Sequence, residues 1–148
     1  MMHRGMVVGC VLLFSGSPLV AVPVQAGQFT VGTLAYSWLA DGTQNIYIQG
    51  SLSDRSAWFF DKCNSDGDTL TAWYKRYRNK VSHGPYWFVS AIYITQGNRK
   101  GYSGAAGVGY EYTTRNNFTF GGYAGGAAGG DNNVTYAVAN LTVGYTFQ

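Results

Sequence analysis

The stretch that decides the fold is Tyr136–Phe147, which reads YAVANLTVGYTF. Every second residue from Ala137 to Phe147 is apolar, and most of the residues between them are small or polar. A period of two residues is typical of a β-strand whose two faces meet different environments. The C-terminal stretch therefore predicts a strand, and no segment of the chain shows a sustained helical period.

The same alternation recurs along the chain, most clearly over 45–53 and 103–113. Clusters of Gly, Asn, Asp, Ser and Pro interrupt it seven times, and such clusters mark turns. Seven breaks predict eight strands, most of them with the ~9–11 residues that a tilted strand needs to cross a bilayer. We expect these strands at about 28–38, 44–53, 56–63, 69–80, 86–96, 102–114, 118–129 and 134–147.

The composition of the polar faces distinguishes between barrel types. Only 11% of the residues are charged, against about 25% in soluble domains, and the polar faces carry Gly, Ser, Thr, Asn, Gln and Tyr. Apolar side chains outside and small or polar ones inside are typical of membrane barrels, whose closure satisfies every backbone group. Residues 27–148 are thus predicted to form one all-β domain, an eight-stranded antiparallel up-and-down transmembrane β-barrel. A soluble secreted barrel or sandwich that binds a small apolar ligand is an alternative.

Residues 1–26 have the pattern of a cleaved signal peptide. His3 and Arg4 precede an apolar run over 6–14, and the small residue Ala26 closes a cleavage site. A lipoprotein signal ending at Cys10 is the alternative. Removing residues 1–26 leaves nine bases (ten minus Arg4) against seven acids, a net charge of +2 that does not favour a nucleic-acid partner. It also leaves Cys63 as the one cysteine, so no intrachain disulfide is expected.

The signal peptide, the eight-strand meander and the ending Asn140–Phe147 (NLTVGYTF) resemble the small bacterial outer-membrane β-barrel proteins of the OmpA/OmpX/opacity type. The resemblance implies the bacterial outer membrane as location and outer-membrane lipids as partners. It also implies recognition of the terminal aromatic strand by the barrel-insertion machinery, although this chain adds Gln148 after Phe147. The resemblance supplies no substrate. The expected role is structural or accessory in the cell envelope, with another envelope protein as a further candidate partner.

An even strand number with both termini in the periplasm is the rule for such barrels. The connections near 53–56, 79–85 and 115–117 would then face the periplasm, and the other four would face outward. The outer connections are short, which disfavours an adhesin. An eight-stranded barrel has an interior just wide enough to be filled by side chains, so a diffusion pore is not expected.

Asp61 and Glu111 are the two carboxylates that fall inside predicted strands. Glu111 lies on the small, polar face of its strand, which predicts that it points into the lumen. Lys75 and Arg76 are expected at a similar height two strands away. Because an unpaired buried charge is costly, we predict a structural ion pair between Glu111 and one of these two bases.

Two further groups of residues are expected at the membrane interface. Arg78 and Lys80 fall at the periplasmic end of a predicted strand, where long cationic side chains reach lipid headgroups. Aromatic rings near strand ends are typical of the girdles of membrane barrels. The predicted girdle consists of Trp38, Trp58, Trp73, Trp87, Tyr145 and Phe147.

No catalytic residue, cofactor or metal site is predicted. The enzymatic alternative is a lipid A-modifying acyl hydrolase or transferase that uses a His with a Ser and an acid, which makes His83 and its neighbour Ser82 the residues to consider. His83 is expected in a periplasmic turn, on the side opposite to lipid A. One remaining His and one Cys do not make a metal site.

Overall fold

The computed structural model describes residues 27–35, 44–64, 68–96, 99–129 and 134–147. These residues form eight strands, and each strand pairs antiparallel with the next in a single closed barrel. The strands are β1 Phe29–Leu34, β2 Gln44–Ser53, β3 Ser56–Asn64, β4 Asp68–Tyr77, β5 His83–Gln96, β6 Arg99–Thr113, β7 Phe118–Gly129 and β8 Val134–Phe147. The predicted fold class, an eight-stranded antiparallel barrel, is confirmed.

The barrel closes between its first and last strands. Phe29 at the start of β1 pairs with Phe147 at the end of β8, and the pairing continues to Leu34 opposite Thr142. The two ends of the chain's described part therefore lie at one end of the barrel, together with the tight connections 54–55, 78–82 and 114–117. We call this end the turn end. The opposite end is called the loop end; the strands are joined there by residues 36–43, 65–67, 97–98 and 130–133.

The alternation of the sequence separates two environments. Aliphatic side chains on the outer face are solvent-accessible; Val108 is 64% exposed, and Ile46, Val89 and Leu141 are also exposed. The inner face holds small and polar residues together with a set of large rings. The predicted direction of the aliphatic faces is therefore found. Tyrosines were expected on the inner face, whereas Phe59, Trp73 and Phe88 in the lumen were not.

The hairpin between β4 and β5 differs from the prediction. β4 ends at Tyr77 and not at residue 80, and β5 begins at His83 and not at residue 86. The turn is tight because the His83 N–H donates to the Lys80 carbonyl at 3.0 Å and Ser82 adopts a φ of 58°. Pro85 is accommodated within β5, where its carbonyl accepts the Arg78 N–H at 3.0 Å.

The predicted signal peptide at 1–26 lies outside the described residues, as does Trp38 of the predicted girdle. Within the described residues, no helix is long and apolar enough to cross a membrane.

Candidate functional site

The lumen is sealed near the turn end by a hydrogen-bonded cluster around Glu111. This carboxylate is 2% exposed, because residue 111 falls on the inner face of β6. Its Oε1 accepts from Gln49 Nε2 at 2.8 Å, from the Tyr77 hydroxyl at 3.1 Å and from the Ser82 hydroxyl at 2.5 Å. We call Gln49, Lys75, Tyr77, Ser82 and Glu111 the lumen network.

The base of this network is Lys75, which is 1% exposed. Its Nζ lies 3.0 Å from Glu111 Oε2 and donates to Gln49 Oε1 at 2.7 Å. The same ammonium lies 4.2 Å from the centroid of the Phe59 ring and 4.8 Å from that of Tyr86. Carboxylate, amide and ring faces together compensate for the loss of water around the charge.

The expected ion pair of Glu111 is thus formed by Lys75, and Arg76 takes no part in it. Arg76 is exposed on the outer face, because successive residues of a strand point to opposite sides of the sheet. Including Arg76 as a candidate lumen base was wrong for this reason.

Ser82 and His83 are adjacent in the chain but point to different sides of the barrel wall. Ser82 is fully buried, and its hydroxyl lies within the lumen network. The half-buried His83 ring has its Nδ1 3.1 Å from the Val81 carbonyl oxygen and packs at 5.9 Å against Tyr112. His83 is the first residue of β5 and closes the turn through its N–H on the Lys80 carbonyl, so it lies at the end of the turn in which it was expected.

Four threonines continue the seal at the turn end. Their hydroxyls form a chain in which Thr113 contacts Thr119 at 2.8 Å, Thr119 contacts Thr146 at 2.5 Å and Thr146 contacts Thr30 at 2.8 Å. All four are buried. We call them the threonine belt; it ties β6, β7, β8 and β1 together across the closure of the barrel.

Large rings fill the middle of the lumen. Trp73 lies 5.3 Å from Phe59, 4.4 Å from Phe88 and 4.7 Å from Tyr123 between ring centroids. Its Nε1 donates to Asp61 Oδ1 at 2.8 Å. Trp73 is therefore a lumen residue, and its assignment to the outer girdle was wrong, because it shares the inner face of β4 with Lys75.

The other described girdle residues are on the outer face. Trp87 is 48% exposed, and Tyr145 and Phe147 are also exposed. Tyr145 contacts Phe147 at 5.1 Å and Phe118 at 5.6 Å, so these rings form a continuous aromatic patch at the turn end. Trp58 has the outward phase of β3 but is 6% exposed, because it packs against Phe29 at 6.3 Å and Phe60 at 5.4 Å. Its expected place in an exposed girdle was therefore wrong.

Arg78 and Lys80 follow β4 at the turn end, and both side chains are exposed. They lie at the same end of the barrel as the aromatic patch. Among the described residues, no group of three or more His, Cys, Asp or Glu side chains is arranged to hold a metal ion.

Gln49, Tyr77 and the threonine belt were missed by sequence analysis. Their position in the alternation could have identified them as inward-facing, since each lies an even number of residues from another inner-face residue of its own strand. Comparison with protein-family models, with curated proteins and with solved structures yields no match for this chain.

Proposed function

We propose that the protein is a non-enzymatic outer-membrane β-barrel with a structural or accessory role in the bacterial cell envelope, exported by a cleaved signal peptide at 1–26. The observation that carries this proposal is the inverted distribution of side chains. Lys75 and Glu111 are buried in the lumen, whereas Ile46 and Val108 are 65% and 64% exposed on the outside. A soluble monomer rarely exposes a continuous apolar surface of this kind, whereas hydrocarbon chains of a bilayer cover it without penalty.

The residues exposed at the turn end support placing that end at the periplasmic surface of the membrane. Aromatic rings at headgroup level are favoured by their combination of apolar body and polar edge, and Phe118, Tyr145 and Phe147 form such a patch. Arg78 and Lys80 are exposed at the same end, where their cationic heads reach lipid phosphates. Outer-membrane lipids are the partners that this arrangement suits best.

The side chains that fill the lumen support a barrel that does not conduct ions or small solutes. The lumen network, the threonine belt and the rings around Trp73 occupy the interior from the turn end to its middle. A solute on that path would have to separate the Lys75–Glu111 pair and expose both charges, which is costly. We therefore expect no passage of ions or small solutes.

The arrangement of Ser82 and His83 does not favour the lipid A-modifying alternative. The base that this alternative requires is His83, but its ring contacts the Val81 carbonyl and Tyr112. The Ser82 hydroxyl is 0% exposed in the lumen, where it bonds to Gln49 and to a Glu111 carboxylate that is paired with Lys75. Mass spectrometry of lipid A from cells with and without the gene tests this point. Loss of an acyl chain that depends on His83 would contradict the non-enzymatic proposal.

Fractionation of a Gram-negative host that expresses the full-length chain tests the location. We expect the protein to lose residues 1–26, to sediment with outer membranes and to migrate differently on a gel before and after boiling. A variant without residues 1–26 should remain inside the cell. Recovery of a folded barrel from the soluble periplasmic fraction would contradict the proposal and favour a soluble barrel.

A further inference from the structure

The half of the lumen towards the loop end contains a cavity of about 210 Å³. The residues that line it include the polar Asp61 and Thr71 and the apolar Ile92 and Val138. An engineered apolar cavity of about 150 Å³ binds benzene, so this cavity has room for a molecule slightly larger than one aromatic ring.

Among the described residues that line the cavity, Asp61 is the one that carries a charge. It is 5% exposed and accepts hydrogen bonds from Trp73 Nε1, at 2.8 Å, and from Thr71. Neither donor carries a charge. The ion pairs between described side chains are Lys62 with Asp68 and Lys75 with Glu111, so Asp61 belongs to none of them.

The loop end offers few cations to Asp61. The connecting segments 36–43, 65–67, 97–98 and 130–133 contain no Lys, Arg or His. The Nζ of Lys62 lies 3.8 Å from Asp68 Oδ1, so this base is paired with another carboxylate. The side chain of Lys100 is exposed. Arg99, whose side chain is outside the described part, is the remaining base at this end.

Comparison with Glu111 shows what is different about Asp61. Both carboxylates are buried in the same lumen, but Glu111 has an ammonium at 3.0 Å, whereas Asp61 faces a cavity. Lys75 also attracts Asp61 electrostatically, but its ammonium is hydrogen-bonded to Glu111 and Gln49, so Asp61 forms no ion pair with a described base. A buried carboxylate that lacks a paired cation is costly and is a candidate for a functional site. A cationic ligand would supply the missing charge.

The other walls restrict the kind of cation. Ca²⁺ takes six to eight oxygen ligands, and the lining offers one carboxylate with the hydroxyls of Thr69, Thr71 and Tyr residues, among mostly apolar residues. Aromatic rings attract organic cations through their faces, and Trp73, Tyr123 and Tyr136 line the cavity. Ile92 and Val138 add apolar surface for a hydrocarbon group.

We propose that this cavity binds a small organic monocation, with its ammonium group on Asp61 and its apolar group against Ile92 and Val138. The ligand class is a primary amine of about the size of benzylamine. The inference is independent of whether the barrel lies in a membrane, since it rests on residues of the lumen.

The test is a binding titration of the purified full-length protein in detergent micelles, observed by ligand NMR. The two probes are benzylammonium and benzyl alcohol, which have nearly the same shape but differ in charge. We expect benzylammonium to bind at least about tenfold more tightly, the ratio that a hydrogen bond to a charged group supplies. Asp61→Asn should remove this preference, and Arg99→Gln should leave benzylammonium binding in place.

The matched control is Asp54→Asn, which removes an exposed carboxylate in the turn between β2 and β3, away from the cavity, and it should not change either affinity. If Asp61→Asn fails to fold, Ile94→Trp fills the mouth of the cavity and should abolish binding of benzylammonium. Equal affinity for the two probes, no binding of benzylammonium, or full binding by a folded Asp61→Asn barrel would overturn the proposal.

Discussion

The Lys75 ammonium and the Glu111 carboxylate lie 3.0 Å apart inside the barrel, with both side chains sealed from solvent. Removing one partner of such a pair leaves a buried charge and costs about 3–5 kcal/mol. Glu111→Gln should therefore lower the free energy of unfolding by about this amount, measured by urea titration of the folded barrel in micelles. Arg76→Gln, which changes the neighbouring exposed base, should stay within about 0.5 kcal/mol.

The same pair predicts a coupling between two substitutions. Lys75→Met alone should be destabilising, because Glu111 then keeps its charge without an ammonium. Lys75→Met combined with Glu111→Gln should be less destabilising than the sum of the two single changes, since neither charge remains. A double-mutant cycle on the free energy of unfolding measures this, and strict additivity would show that the pair does not contribute as a unit.

A charge on the outer face distinguishes a bilayer from water. Val108 is 64% exposed on β6. In a membrane, Val108→Arg should cost about 2–4 kcal/mol if this position is near the midplane, whereas in water an exposed substitution stays within about 0.5 kcal/mol. Tyr102→Arg, nearer the loop end of the same strand, is the control and should cost about 0–1 kcal/mol. Unfolding from lipid vesicles provides the measurement, and equal small effects would argue against a membrane barrel.

Two glycines of the barrel should respond differently to the same substitution. A Cβ at Gly32 would overlap the Val143 carbonyl oxygen and the Tyr47 ring, whereas one at Gly126 would meet nothing within 4 Å. Gly32→Ala should therefore cost about 1–3 kcal/mol or more through overpacking. Gly126→Ala should be neutral or should stabilise by about 0.4–1 kcal/mol, because alanine restricts the unfolded chain. Thermal unfolding of the two variants tests this contrast, and equal losses would contradict it.

The two buried tryptophans provide a further comparison. Trp73 Nε1 donates to Asp61, whereas the buried Trp58 Nε1 has no hydrogen-bond partner among the described residues. Both Trp→Phe changes remove similar volume, but Trp73→Phe also removes a donor from a buried carboxylate. We expect Trp73→Phe to be more destabilising than Trp58→Phe by about 1–3 kcal/mol. Urea titrations of the two variants measure the difference, and a larger loss for Trp58→Phe would contradict this account.

Much of the barrel was predictable from alternation and turn residues. The bounds expected for β2, β7 and β8 agree with the structure, because each of these strands borders at least one cluster of Gly, Asn, Asp or Ser. The turn between β4 and β5 was predicted three residues too late in the chain, at 81–85 and not at 78–82, since Pro85 suggested a break. Proline is tolerated within a strand where its missing N–H is not needed by a neighbour.

The lumen was predictable only in part. Alternation within β4 places Trp73, Lys75 and Tyr77 on one face, so the error over Trp73 was avoidable once Lys75 was assigned to the interior. The contacts between side chains across the lumen could not be predicted in this way. That Gln49 and Ser82 meet at Glu111 depends on the offset between strands far apart in the chain, and that offset is not readable from any one strand.

The lumen network has a consequence for assembly. Its members come from β2, β4, β6 and the turn before β5, and a shift of any of these strands by one residue would turn its polar group outward. Glu111 would then face the outer surface, and the ammonium of Lys75 would be stranded inside. A barrel misaligned in this way would contain an unpaired buried charge, which is costly, whereas the small, repetitive Gly and Ala residues of β6 and β7 would by themselves distinguish little between alignments.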